Sequence, residues 1–314
     1  MALDAATTAL LQGLAEGGRP PLHESTPEEA RARGALLTAL IGPGPDVASV
    51  EDVAITGADG ASFTLRVVRA QDEPRGIVVY FHGGGWVLGD LAGHDTLART
   101  LATRTGCTVV LVDYRLAPEH PYPVPVEDSW SALTWVDAHR SSLAPAGAPL
   151  VVVGDSAGGN LAAVMTQRAR ERGGPAIDHQ VLVYPITDAD LDRPSYTAAE
   201  NQALLDRQAM TWFFDHYTGD RDVRQHPEVS PLRAADLSGL PPATVLLAPH
   251  DPLHDEGAAY AAALAEAGVA VDTRTVEGQA HGFFTMLNIL PGAAVGMDYV
   301  VGRIASVTGS AVTA

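Results

Sequence analysis

A doubly wound α/β sheet is the fold class that this sequence predicts. Six short apolar runs, residues 77–81, 108–112, 150–153, 180–184, 244–247 and 269–271, carry no polar alternation. Runs of that kind suit strands buried on both faces, as in a parallel sheet. Helical stretches near 93–105, 126–140, 157–172 and 254–267 lie between most of them, and a last one lies near 291–307. Strand–helix alternation implies right-handed crossovers. Composition agrees, because 314 residues with 46% apolar and 18% charged side chains can bury a full core and exclude a disordered chain.

In chain order, residues 1–45 show a helical rhythm around Leu10, Leu11 and Leu14. A second helix starts at the capping sequence Ser25-Thr26-Pro27-Glu28-Glu29 and ends at Gly42-Pro43. Residues 50–55 and 63–68 read as paired strands around an Ala58-Asp59-Gly60 turn. The alternating runs follow. Residues 188–240 depart from the pattern, holding far more chain than a crossover needs, with Met210-Thr211-Trp212-Phe213-Phe214 and Tyr217 inside them. The expected division is an N-terminal helical cap segment (1–45), an α/β domain (46–187 and 241–314) and a cap insertion (188–240).

Charge removes several chemistries. Twenty basic residues against 38 acidic ones give a net charge of −18, and every basic residue is Arg. Such a surface repels nucleic acid and anionic membranes, so neither is an expected partner. Without lysine there is no P-loop, no Schiff base and no Ser-Lys dyad. The single cysteine, Cys107, forms no internal disulfide and leaves nothing for a cysteine-ligated metal. No apolar run nears the ~20 residues that span a bilayer, and the N-terminal stretch has Asp4 where a signal peptide is basic. A cytoplasmic protein is expected.

The strongest motif is Gly154-Asp155-Ser156-Ala157-Gly158, a G-x-S-x-G between a β-branched run and an alanine-rich helix. A sharp strand-to-helix turn exposes the serine and requires small flanking residues. Upstream, His82-Gly83-Gly84-Gly85-Trp86 closes another apolar run. Its glycine N–H groups, together with that of Ala157, suit an oxyanion, each donor being worth roughly 3 kcal/mol in the transition state. G-x-G-x-x-G fails at this loop. A serine nucleophile needs a base, and the base an acid to fix its tautomer. Asp251 follows the run at 244–247, and His281 lies in the glycine-flanked loop Glu277–Gly282, giving the order Ser156, Asp251, His281.

Other arrangements fit less well. Asp188, after the run at 180–184, is a rival acid, but Asp251 satisfies the order better, and Asp255 reads as a first-turn acid of the next helix. His250 and His254 have a metal pair's spacing, but Asp-Pro-Leu between them breaks the helix. Asp188-Ala189-Asp190-Leu191-Asp192 lacks the glycine and closing glutamate of a calcium loop. No metal is expected.

Together with Asp113-Tyr114-Arg115-Leu116-Ala117-Pro118, Tyr184-Pro185 and Asp251-Pro252-Leu253-His254-Asp255-Glu256-Gly257, these motifs resemble the bacterial hormone-sensitive-lipase-like esterases of the α/β-hydrolase superfamily. The resemblance spans about residues 45–305. It implies an α/β-hydrolase fold and a cofactor-free esterase acting on short to medium acyl esters. It also implies Ser156 as nucleophile, Asp251 as acid, His281 as base, and an oxyanion hole of Gly83, Gly84 and Ala157. Trp86, Trp212, Phe213 and Tyr217 are candidates for the substrate pocket. The expected partner is a small neutral ester, and a homodimer is in keeping with the family. Acyltransferase, lactonase and amidase chemistry would use the same triad, and a non-catalytic small-molecule receptor would use the same fold.

Overall fold

The strands follow the apolar runs: β1 (Ser49–Thr56), β2 (Ser62–Arg69), β3 (Ile77–Phe81), β4 (Thr108–Asp113), β5 (Leu150–Asp155), β6 (His179–Val183), β7 (Ala243–Leu247) and β8 (Val271–Thr275). In the computed structural model, which describes residues 2–18 and 20–309, they form one sheet in the order β1-β2-β4-β3-β5-β6-β7-β8. The hairpin β1–β2 and the β2–β4 pair are antiparallel, and every other pairing is parallel. The last strand starts where the run at 269–271 was expected to end. It carries Asp272 and Arg274 at the sheet edge, so no apolar signal marks it.

Period-two alternation explains the two-sided core. Val79, Phe81, Val110, Val112 and Val152 point to one face. That face is covered by α4 (Val124–Ala138), α6 (Ala157–Arg172) and α9 (His254–Glu266). Val78, Tyr80, Val109, Leu111, Val151 and Val153 point to the other, under α3 (Leu91–Thr105) and α10 (Pro291–Thr308). A short helix α5 (Arg140–Leu143) follows α4, and α7 (Pro194–Thr197) and α8 (Arg207–Tyr217) lie in the long 188–240 segment. Each buried valine contributes roughly 1.5–3 kcal/mol, so the sheet is a rigid base for the loops at its C-terminal edge.

The N-terminal helices are α1 (Ala5–Glu16), capped by Asp4, and α2 (Pro27–Ile41), which carries the full Thr26–Glu29 capping box. Arg31 fastens α2 to the sheet side. It donates to the carbonyls of Val87 and Ala117, both at 2.9 Å, and forms a two-pronged ion pair with Glu119. That pair holds the Glu119 carboxyl down at about 2. Between these helices and the sheet lies a cavity of about 1420 Å³, walled by Leu10, Leu37, Leu88, Leu204 and Met286 among others.

Candidate active site

Ser156 sits between β5 and α6 with φ 55° and ψ −118°, a conformation that L-residues rarely adopt. The two glycines of its motif make the turn feasible. A Cβ on Gly158 would fall inside the carbonyl group of Phe81, and one on Gly154 inside the carbonyl group of Gly158. The serine N–H donates to Val183 O at 2.9 Å, which ties the turn to β6. Its Oγ is thus presented beside the N-terminus of a sixteen-residue helix, whose dipole favours negative charge.

The loops that carry Asp251 and His281 follow β7 and β8. A single β-bridge joins His250 to Ala280, the residues just before Asp251 and His281. Asp251 is fully buried, and its Oδ1 accepts the Leu253 N–H at 2.8 Å. Its Oδ2 lies 2.8 Å from His281 Nδ1, while His281 Nε2 lies 3.0 Å from Ser156 Oγ. The three side chains form one hydrogen-bonded line. The ring of Tyr184 packs on the imidazole with centroids 4.7 Å apart. Asp188 takes no part and is paired with Arg193 and Arg233. Asp255 lies in the first turn of α9, where it accepts the Ser195 N–H.

The glycine loop differs from expectation at one residue. The Gly83 N–H, expected to face an oxyanion, donates to Asp155 Oδ1 at 2.9 Å. The same oxygen accepts the Tyr80 hydroxyl at 2.6 Å, and Asp155 is buried. Gly84 and Gly85 follow with φ 110° and 59°. Among the described residues, no acceptor takes the N–H of Gly84, Gly85 or Ala157. His82, closed off between Tyr114 and His94, is held to a pKa of about 3 by burial and stays neutral.

The four pocket candidates separate. Phe213 lies directly over Gly85, where a Cβ would enter its ring. Trp86 and Tyr217 are fully buried and stacked on each other, centroids 4.1 Å apart, so they back the loop and present no surface to a substrate. Trp212 packs edge-on against Phe213 and against His216, one turn along the helix. The large cavity reaches the site's rim through two residues. The Leu88 carbonyl abuts Gly84, and the Met286 methyl lies beside Gly282, next to His281.

A parallel sheet ending in a strained serine, with an imidazole and a carboxylate aligned behind it, is the arrangement of a serine hydrolase. The chain belongs to the α/β-hydrolase family, whose model, described as the alpha/beta hydrolase fold, matches residues 78–285. It is 47% identical over 221 residues to the carboxylesterase NlhH of Mycobacterium tuberculosis, covering 69% of each chain. It is 38% identical over 312 residues to an ethyl acetate hydrolase of Pseudomonas putida, covering 96% of this chain and 98% of that one. An ester hydrolase from the metagenome of Lake Arreo, solved with a bipyridine phosphonate derivative, superposes with a TM-score of 0.92 at 35% identity. It covers 98% of this chain and 100% of its own. The protein is a carboxylic ester hydrolase of the hormone-sensitive-lipase-like group.

Sequence reasoning missed Asp155, Gly85 and Tyr184 as parts of the site. Gly85 stood in the glycine motif, but only the folded loop distinguishes it from Gly83.

Proposed function

We propose that Ser156 attacks the ester carbonyl while His281 Nε2 takes its proton, with Asp251 holding Nδ1–H and stabilising the imidazolium. The N–H groups of Gly84, Gly85 and Ala157 receive the oxyanion. His281 then protonates the departing alcohol, and water, activated by the same imidazole, hydrolyses the acyl-enzyme. The observation that carries this reading is the Ser156–His281–Asp251 line at 3.0 and 2.8 Å.

The substrate in this reading is a small neutral ester with a short to medium acyl chain. The name of the Pseudomonas putida relative supports the short end, and the net charge of −18 disfavours anionic esters. Residues 1–45 and 188–240 act as the cap, the first walling the large cavity and the second covering the glycine loop through Phe213. A cytoplasmic setting suits the buried, unpaired Cys107, and sedimentation tests the homodimer. Ser156→Ala is expected to abolish hydrolysis of p-nitrophenyl butyrate and labelling by a fluorophosphonate probe. Retained turnover would overturn the assignment. A panel of p-nitrophenyl esters from acetate to palmitate tests the chain length, with rates expected to fall sharply beyond medium chains.

A further inference from the structure

The loop that carries His281 is gripped from behind by the first turn of α1. Gln279, two residues before the imidazole, is 1% exposed. Its amide donates to Asp4 Oδ2 at 2.6 Å, and its side-chain oxygen accepts the Thr7 hydroxyl at 3.4 Å. The Asp4 N–H donates to Gly278 O at 3.0 Å. Gly278, at φ 73°, lets the two segments meet, since a Cβ there would lie 2.9 Å from Asp4 N. On the opposite side Gly292, at the start of α10, leaves the space that the Gln279 amide fills. The main chain of Gln279 works in the other direction. Its carbonyl accepts the His250 N–H at 3.2 Å, and the His250–Ala280 bridge follows at once. One buried residue, through its side chain and its carbonyl, therefore joins α1 to the loop of Asp251 and the loop of His281 together.

We propose that Gln279, held by Asp4, is a positioning residue for ester hydrolysis, fixing the imidazole of His281 between Ser156 and Asp251. This rests on the triad reading above. Catalytic alignment is sensitive to small displacements, so releasing the clasp should lower kcat and leave ground-state binding of a short ester nearly unchanged.

Asp4 also caps α1 through Thr7 N–H at 2.7 Å, so the first variant separates the two roles. Asp4→Ser keeps a capping hydroxyl but is too short to reach Gln279. It is expected to lower kcat on p-nitrophenyl acetate about 10-fold with KM within about twofold. Gln279→Glu sets a carboxylate against Asp4 and is expected to lower kcat further. Adding Asp4→Asn, whose amide donates to that carboxylate, is expected to restore most of the loss. Wild-type kcat in Asp4→Ser would overturn the proposal, as would a loss seen only in KM or a Gln279→Glu defect that Asp4→Asn does not relieve. If Gln279→Glu fails to fold, Asp4→Ser decides alone. Ser156→Ala is assayed beside them. Activity in that variant removes the triad reading itself, whereas an inactive Ser156→Ala with unaffected clasp variants removes only the clasp.

Discussion

Asp155 Oδ1 accepts the Gly83 N–H at 2.9 Å, so the residue before Ser156 braces the loop that faces it. Asp155→Ala would leave the Gly83 N–H and the Tyr80 hydroxyl without an acceptor in a buried place. The loop would lose its anchor, and kcat for p-nitrophenyl butyrate is expected to fall about 100-fold. Asp155→Asn keeps one acceptor oxygen and is expected to fall less. Steady-state rates of the two variants check the order.

Asp251→Asn preserves volume but offers His281 an amide where a carboxylate stood. The imidazole then favours the tautomer with its proton on Nε2, pointing at Ser156 Oγ, and cannot act as base. A fall of about 10⁴ in kcat is expected, with the fold intact by circular dichroism.

Gly85 is confined by Phe213. Gly85→Ala forces a side chain into that ring at φ 59°, which adds about 1–2 kcal/mol of backbone strain. Activity is expected to collapse, and Phe213→Ala in the same background should restore part of it by opening the space. Equal activity in the single and double variants would show that the ring is not the obstacle.

Glu256 is fully buried in α9, where its carboxyl takes the Thr187 N–H at 2.8 Å and the Tyr196 hydroxyl at 3.0 Å. Burial pushes its pKa up to about 8. The folded protein therefore holds a proton that the unfolded chain releases near pH 4.5, and the stability tied to that proton is complete below about 4.5 and lost as pH rises through about 8. Glu256→Gln cannot ionise. Its Tm relative to wild type is expected to rise between about pH 5 and pH 9 by an amount reflecting a few kcal/mol, as thermal melts across that range would show.

The sheet was legible because buried parallel strands leave apolar runs, and β3 to β7 match theirs closely. β8 was not, since Asp272, Thr273 and Arg274 belong to an edge and look like a loop. The order Ser156, Asp251, His281 could be read because each follows a strand end on the same side of the sheet. Which glycine N–H groups stand free could not, because Gly83 is claimed by an aspartate 72 residues away. The grip of Asp4 on Gln279 spans 275 residues and leaves no mark on local pattern. Aromatic residues were visible at 212–217, but helical phase alone did not tell that Phe213 meets the glycine loop while Tyr217 stacks on Trp86.

Ser156 and His281 stand 125 residues apart along the chain, and it is the pairing of β5, β6, β7 and β8 in one sheet that brings them together. Long-range pairing of this kind forms late, since the closure of large loops precedes any reward from contact. Hydrolysis is consequently a clock for the completion of folding. A refolding population should recover its far-ultraviolet circular dichroism first and regain turnover only when the far edge of the sheet has docked.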